Sequence, residues 1–279
     1  MLFREQRQAA AKETRSLSAG ILRTTKGASR NSQLYEELPP PLGPNKKPKY
    51  TRVHVENGDT LTIARKRAAQ KAKVGVLNMA SERQPGGGWL RGSLAQEEAL
   101  CLRSTLAETL DKSYYPLPHL GAIWSPAVAV FRDEVTHDCR IFREEERFVV
   151  GVVSVAGLRR PPLTGDELDY REFTWIDPYR VSSKAKPGFP KDIETVQNKI
   201  RQMLRILACH NISHCILGAL GCGVFENPPQ RVAQLFRNVI LEDEFRGWFE
   251  EIVFAVLDPK SEGNLDVFEK IIGDFEIER

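Results

Sequence analysis

The 279-residue sequence has little net charge and no long apolar run, and each absence argues against a class of protein. Lysine and arginine number 40 against 37 aspartates and glutamates, so the formal charge of +3 gives no reason to expect nucleic-acid binding. No run approaches the roughly 18 apolar residues that a membrane-spanning helix needs. We therefore expect no membrane partner and no direct binding of nucleic acid. Because the net charge is small, an anionic ligand is expected to bind only at a local site.

Paired cysteine motifs are also lacking. The five cysteines show no CxxC pair and no matching histidine spacing, and they are Cys101, Cys139, Cys209, Cys215 and Cys222. This usage is typical of reduced thiols inside the cell and argues against a zinc site. The N-terminus is basic and lacks the apolar centre of a signal peptide. The sequence therefore predicts a cytoplasmic or nuclear protein without a metal centre.

Alternating strand and helix patterns run along the chain, and this order is typical of an α/β fold. The predicted strands lie at 53–55, 73–79, 122–134, 147–157, 214–220 and 251–258. The predicted helices lie at 3–14, 61–72, 96–112, 193–210 and 230–241, followed by an amphipathic helix through Val267, Ile271 and Ile272. Asp59 or Thr60 is expected to cap the helix at 61–72.

One large domain accounts for most of this length. We predict that it spans 51–279 and that residues 1–50 supply an N-terminal helix and a proline-rich linker that pack on it. The linker is expected at 29–50, where three consecutive prolines favour an extended chain. The polar, loop-rich segment 158–190 has the character of a lid or an edge insertion.

A first candidate site lies at 78–103, which reads NMASERQPGGGWLRGSLAQEEALCLR. The three consecutive glycines lack Cβ atoms and permit positive φ, so a ligand can approach the backbone closely there. Glu97 and Glu98 open the helix that follows, where the helix dipole favours negative charge. Two adjacent acids at a helix start can also be ordinary end residues, although that interpretation leaves the glycines unexplained.

A second glycine loop, GALGCGVFENPP at 218–229, follows a predicted strand and precedes a helix opened by two prolines. Converging backbone amides before a helix N-terminus form an anion site, although this pattern alone also fits a structural turn. Phe225 is either a core side chain or an aromatic wall against a sugar or base. Ligands of open α/β sheets bind beyond the carboxyl ends of the strands, which is where both loops lie.

Together these motifs resemble those of the poly(ADP-ribose) glycohydrolases. PGGGWLRGSLAQEE is similar to the family signature, and VLNMASERQPGGG, SPAVAVFRDE and GALGCGVFENPP are similar to its microbial-type branch. The resemblance extends from about residue 51 to residue 258, with AKETR similar to the leading segment of the branch. It implies a macrodomain-like three-layer α/β/α sandwich with a mixed central sheet and an N-terminal helical extension, and ADP-ribose bound across the strand ends.

The resemblance also implies roles for individual residues. Glu98 matches the catalytic glutamate, and Glu97 matches the glutamate that holds the ribose hydroxyls at the scissile bond. Asn78 and the triplet Gly86, Gly87 and Gly88 match residues at the distal ribose, and Gln96 matches a residue that shapes the loop. The diphosphate is matched by Gly221, Cys222, Gly223 and Val224. Phe225 matches an aromatic residue beside a sugar. A thiol nucleophile at Cys222 is not needed by this chemistry.

Hydrolysis of a ribose–ribose bond passes through an oxocarbenium-like transition state, which needs a proton on the leaving oxygen and a water at the anomeric carbon. Neighbouring helical residues point about 100° apart, so Glu97 and Glu98 cannot face each other across a sugar. We expect Glu98 to perform both steps, first as acid and then as base, without a metal or other cofactor. The alternatives are a hydrolase of mono-ADP-ribosyl links and a non-catalytic ADP-ribose-binding macrodomain.

Overall fold

The structure is a computed structural model that describes residues 2–43, 45, 50–161, 163–164, 169–170, 192–258 and 263–278. The predicted lid or edge insertion at 158–190 falls mostly outside the described residues. Among the described helices, none has the length and the apolar character to cross a membrane.

Helices and strands alternate through the described residues much as the sequence pattern predicts. The helices are α1 (Arg4–Thr24), α2 (Thr60–Ala69), α3 (Gln96–Arg103), α4 (Asp192–Cys209), α5 (Pro229–Ile240) and α6 (Asn264–Ile271). The strands are β1 (Gln33–Tyr35), β2 (Tyr50–Glu56), β3 (Val74–Met79), β4 (Ala122–Val130), β5 (Phe148–Val155), β6 (Leu163–Thr164), β7 (Asp169–Tyr170), β8 (His214–Leu217), β9 (Glu251–Ala255) and β10 (Phe275–Glu278).

Eight strands form one mixed sheet in the order β1-β4-β5-β3-β8-β9-β2-β10, and β6 pairs separately with β7. The five central strands, from β5 to β2, are parallel to one another. Antiparallel pairs complete both sides of the sheet. The parallel arrangement brings the carboxyl ends of β3, β8, β9 and β2 to one edge, which is where the two glycine loops begin.

Two hydrophobic cores, one on each face of the sheet, make the molecule three-layered. Alternate residues of β9 divide between them: Ile252 and Phe254 join the core under α4–α6, and Val253 and Ala255 join the core under α1–α3. This division follows from the two-residue period of a strand. The predicted three-layer α/β/α sandwich with a mixed sheet is confirmed.

The predicted helix at 96–112 is wrong beyond Arg103. Ser104 adopts extended backbone angles and bridges to Val130. The Thr105 amide donates to the Ala129 carbonyl, and the Thr105 hydroxyl accepts from the Ala129 amide. Serine and threonine side chains that bond the backbone compete with helix formation. The polar pair at 104–105 therefore ends α3 against β4.

The linker predicted at 29–50 also needs correction, because it contains β1. Gln33–Tyr35 pairs antiparallel with β4, so this segment supplies a strand of the main sheet. Only three residues pair, too few for an alternating pattern to stand out. Strand β10, which pairs antiparallel with β2, was likewise missed. The domain boundary at residue 50 stays a prediction.

Helix α1 is longer than the predicted 3–14 and packs on the first glycine loop. Its side chains reach the loop backbone: Arg7 Nε donates to the Gly92 carbonyl at 2.9 Å, and Gln8 Nε2 donates to the Arg91 carbonyl at 3.1 Å. About two turns further on, Thr14 Oγ1 donates to the Leu102 carbonyl at 2.8 Å. Helix α1 thus holds both the loop and α3 from outside.

Candidate active site

A cavity of about 670 Å³ opens at the carboxyl edge of the parallel strands. Its walls come from the first turn of α3, the second glycine loop, the start of α2 and the end of β9. The residues that bear on the chemistry are Ser81, Leu94, Gln96, Glu97 and Glu98 on one side, Gly221, Gly223, Val224 and Phe225 on another, and Asp59, Thr60, Ala255, Val256, Leu257 and Asn264 around the rest.

Glu97 is almost fully buried, with 3% of its surface exposed. Its Oε2 accepts a hydrogen bond from the Ser81 amide at 2.8 Å, and its Oε1 accepts one from Asn78 Nδ2 at 3.3 Å. Burial raises the pKa of Glu97 to about 8; these hydrogen bonds oppose the rise and the charge of Glu98 adds to it. At neutral pH, Glu97 is therefore mostly a neutral carboxylic acid.

Asn78 lies beneath Glu97 and is itself fully buried. Its amide nitrogen bridges Glu97 Oε1 and Ser154 Oγ, the latter at 3.0 Å. Its Oδ1 has no hydrogen-bond partner among the described residues. A buried acceptor left without a donor is costly, so this oxygen is suited to take a hydrogen bond from a protonated Glu97 or from a ligand.

Glu98 lines the cavity and is half-buried. Its two oxygens accept backbone hydrogen bonds, Oε1 from the Gly88 amide at 2.9 Å and Oε2 from the Ala95 amide at 3.2 Å. Gly87 passes directly beside it with φ of +54°. A Cβ atom there would lie 2.6 Å from Glu98 Oε1 and 3.1 Å from Glu97 Oε2. The glycine triplet thus fixes Glu98 and leaves room for both carboxyl groups.

Gln96 ties α3 to the end of β3. Its Oε1 accepts from the Met79 amide at 2.8 Å, and its Nε2 donates to the Leu77 carbonyl at 2.6 Å. This pair of bonds sets where the first turn of α3 begins. Gln96 therefore places the two glutamates that follow it, as well as lining the cavity.

Asn227 closes the second glycine loop. Its Nδ2 donates to the Leu158 carbonyl at 2.6 Å and the Gly221 carbonyl at 3.0 Å. Gly221 has φ of +76°, and a Cβ atom there would lie 2.5 Å from Asn227 Nδ2. Gly223 differs, because a Cβ atom there would meet no other atom within 4 Å. Gly221 is needed by the loop itself, whereas the open space above Gly223 is available to a ligand.

Not every predicted site residue reaches the cavity. Among those predicted, Gln96, Glu97, Glu98, Gly221, Gly223, Val224 and Phe225 line it, whereas Asn78, the glycine triplet and Cys222 do not. Cys222 donates its thiol to the Leu220 carbonyl at 3.8 Å, and burial raises its pKa well above the ordinary thiol range. Such a thiol stays protonated, which argues against a nucleophile at this position.

Sequence reasoning missed the wall formed by α2 and the end of β9. Asp59 was predicted only as a helix cap, and its Oδ1 does accept from the amides of Leu61 and Thr62. It also forms an ion pair with the buried Arg103. Residues 255–257 carry no polar motif, so only their position at a strand end could have indicated them.

One group near the cavity has the donor types of a cation site. Asp133, Glu134 and His137 each place a potential ligand atom within 4.8 Å of the others. Glu134 is already engaged, because its oxygens accept hydrogen bonds from the hydroxyls of Thr62 and Thr136. Exposed acidic groups of this kind are common without an ion, and we assign no metal here.

Replacing Glu97 with glutamine is expected to flatten the pH dependence of stability. Because the folded pKa lies above the unfolded value near 4.5, the folded state retains a proton that the unfolded state releases. The free energy of unfolding should therefore fall with rising pH between about 5 and 8, by at most about 1.4 kcal/mol per unit from this group. Glutamine removes this pH-dependent contribution. The variant should therefore gain stability relative to the wild type at the upper end of this pH range.

Urea unfolding of both proteins at four pH values across this range measures the difference. Glu145→Gln is the control, since the Glu145 side chain is 65% exposed and the substitution is the same. Parallel stability curves for wild type and Glu97→Gln would contradict the assignment of a buried proton to Glu97.

The family model "Microbial-type PARG, catalytic domain" matches residues 5–133 of the chain. No curated protein matches the chain. Solved structures do match, and they include poly(ADP-ribose) glycohydrolases (PARG) from Thermomonospora curvata and Deinococcus radiodurans.

The structure of the Thermomonospora curvata enzyme is 26% identical and superposes with a TM-score of 0.73, covering 95% of this chain and 99% of that one. Its complex with the inhibitor ADP-HPD is 25% identical, with a TM-score of 0.68 over the same shares of the two chains. The Deinococcus radiodurans enzyme in complex with ADP-ribose is 26% identical, with a TM-score of 0.61 over 93% of this chain and 90% of that one.

Proposed function

We infer that this chain is a microbial-type poly(ADP-ribose) glycohydrolase, which hydrolyses the ribose–ribose O-glycosidic bonds of poly(ADP-ribose) to release ADP-ribose. The observation that carries this inference is the pair Glu97 and Glu98, which share one wall of the cavity while the second glycine loop forms another. One wall supplies acid–base groups and the other supplies backbone amides for a diphosphate. Both are required at a bond between two nucleotide sugars.

The order of the strands supports one orientation of the bound ADP-ribose. The carboxylates follow β3, the second glycine loop follows β8, and residues 255–257 end β9, so these features lie in sequence along the sheet edge. ADP-ribose also runs linearly, from distal ribose through diphosphate to adenosine. We place the distal ribose at Glu97 and Glu98, the diphosphate at Gly221–Val224, and the adenosine against β9 and the start of α2.

Glu98 is the residue to which we assign the proton transfers. It lines the cavity, so its carboxyl group can protonate the leaving ribose oxygen and then deprotonate the water that attacks the anomeric carbon. The backbone amides of Gly88 and Ala95 hold its two oxygens, which fixes the group before substrate arrives. A fixed acid–base group avoids part of the entropic cost of the reaction.

Glu97 is assigned as the sugar anchor. With a pKa of about 8 it is a neutral acid at pH 7, so it can donate a hydrogen bond to one ribose hydroxyl and accept one from another. Asn78 supports this role from below and is too buried to be a cavity-lining contact in this structure. We therefore assign Asn78 as a positioning residue for Glu97.

We also propose a physiological substrate and a cellular compartment. The physiological substrate is poly(ADP-ribose), attached to proteins or free, rather than a single ADP-ribosyl group. The protein works in the cytoplasm or nucleus, which its five free cysteines support.

The second glycine loop provides a matched pair of substitutions. Gly221→Ala should destabilise the protein by about 2 kcal/mol, because alanine at this positive φ is strained and its Cβ would meet Asn227. Gly223→Ala should leave the melting temperature unchanged within about 1 °C and weaken ADP-ribose binding by about tenfold, since its methyl group enters the ligand space. Thermal unfolding and calorimetric titration with ADP-ribose separate the two effects. A destabilised Gly223→Ala with normal binding would contradict the assignment.

Incubation with defined substrates tests the proposed function. Labelled poly(ADP-ribose) and a mono-ADP-ribosylated protein are each supplied to the purified chain. We expect the polymer to shorten with release of ADP-ribose. Release from the mono-modified protein alone would assign the alternative hydrolase, and binding without turnover would assign a non-catalytic ADP-ribose-binding macrodomain.

A further inference from the structure

Three arginines converge on the outer side of the first glycine loop. Arg4 Nε donates to the Arg91 carbonyl at 3.1 Å, and Arg7 Nε donates to the Gly92 carbonyl at 2.9 Å. The Arg91 side chain is exposed, and its Nη2 lies 3.6 Å from the position that a Cβ atom would take at Gly88. We call Arg4, Arg7 and Arg91 the arginine patch.

No carboxylate neutralises this patch: among the residues that the structure describes, none of the three arginines forms an ion pair. Other arginines near the cavity differ. Arg159 contacts Glu82 at 3.6 Å, and Arg160 contacts Glu226 at 3.0 Å. The arginine patch therefore leaves positive charge available to an external anion.

Apolar side chains accompany the charges. Phe3, which precedes Arg4, is 78% exposed, and Leu90, which precedes Arg91, is 38% exposed. Exposed aromatic rings beside arginines are suited to stacking on bases while the guanidinium groups contact phosphates. An isolated ADP-ribose unit in the cavity would not need this surface.

The patch also lies where a polymer has to leave the cavity. The bound unit is placed toward the second glycine loop and β9, so its link to the next unit lies at Glu98 and points away from them. Glu98 Oε1 accepts from the Gly88 amide at 2.9 Å, and the Gly88 carbonyl accepts from the Arg91 amide at 2.9 Å. Leu94, 38% exposed, lines the cavity on the same loop. The next unit thus emerges beside Arg91.

We propose that the arginine patch binds the continuing chain of poly(ADP-ribose), contacting its diphosphates, with Phe3 stacking on its adenines. This proposal rests on the proposed function and deepens it, because it assigns a preference for polymer over a single ADP-ribosyl group to named residues. Each unit of the polymer carries one diphosphate and one adenine, which matches the charges and the exposed ring of this surface.

The test compares two double variants that remove the same charge from the chain. Arg4→Gln with Arg91→Gln alters the patch, and Arg15→Gln with Arg23→Gln alters exposed positions further along α1. Fluorescence anisotropy gives the Kd for length-fractionated poly(ADP-ribose) and for ADP-ribose, with Glu98→Gln present in all proteins to preserve the polymer. We expect the patch variant to bind polymer about tenfold more weakly, with an unchanged Kd for ADP-ribose. The slope of log Kd against log salt should fall in magnitude by about 1 to 2.

Several results would overturn the proposal: an unchanged Kd for polymer, an equal loss in the control variant, or a loss of ADP-ribose binding that reveals a displaced glycine loop. Tighter binding of oligoadenylate, with the same dependence on the patch, would make the surface a nucleic-acid site instead. Arg91→Lys, which keeps the charge, should retain most polymer binding. Failure of the proposed function would show separately, as wild-type protein that binds the polymer and leaves its length unchanged.

Discussion

Replacing Glu98 with glutamine is expected to slow poly(ADP-ribose) hydrolysis by at least about 100-fold while ADP-ribose still binds. Glutamine keeps the shape of the side chain, and its one carbonyl oxygen can still accept one of the two backbone N–H bonds, from Gly88 or from Ala95. It can neither protonate the leaving oxygen nor deprotonate the attacking water. Single-turnover release of labelled ADP-ribose measures the rate, and calorimetric titration with ADP-ribose measures binding.

Glu145→Gln is the matched control for this prediction, because Glu145 is exposed and pairs only with Arg143 in the described part of the chain. It should retain the wild-type rate. Turnover of Glu98→Gln within a few-fold of wild type would reject Glu98 as the acid and base. An equal loss of rate and of ADP-ribose affinity would instead indicate a binding role.

Gly87→Ala is expected to lower kcat by about 100-fold through geometry alone. The added methyl group would lie 2.6 Å from Glu98 Oε1, and alanine at φ of +54° is strained. The carboxyl group has to move, and a displacement of about 1 Å at a reacting group can cost about 100-fold in rate. The expected loss of stability is smaller, about 1 to 2 kcal/mol.

Gly20→Ala provides the comparison, since a Cβ atom at Gly20 would meet nothing within 4 Å and alanine favours the α1 helix that contains it. It should keep wild-type activity and gain slight stability. The rate and the melting temperature of both variants are measured together. A fully active Gly87→Ala would mean that the glycine triplet does not fix the position of Glu98.

Local patterns were sufficient to predict the α/β class and the two loops, whereas the three-layer arrangement with a mixed sheet was implied by the family resemblance. The alternating and helical apolar patterns of β2, β3, α4 and α5 specify elements whose apolar faces have to be buried on either side of a sheet. Asp59 as a helix cap also followed from local sequence. Each of these features depends on residues that are close together in the sequence, so the local sequence is sufficient to predict it.

Contacts between distant segments were not predictable in this way. The end of α3 at Arg103 depends on Thr105 bonding Ala129 of β4, and the pairing of β1 depends on the same strand. The burial of Asn78 and the raised pKa of Glu97 depend on Ser154 and on the packing of several elements. Sequence reasoning therefore predicted which residues carry the chemistry, which stays a prediction, and it could not predict which of the two glutamates holds a buried proton.

The identity of the bond that is cleaved tests the central claim most directly. Mass spectrometry of the products formed from purified poly(ADP-ribose) distinguishes cleavage between riboses from cleavage within the diphosphate. We predict ADP-ribose as the small product, formed by wild type and formed at least about 100-fold more slowly by Glu98→Gln. Phosphoribosyl-AMP as the product, or release of ADP-ribose at the same rate by both proteins, would contradict it.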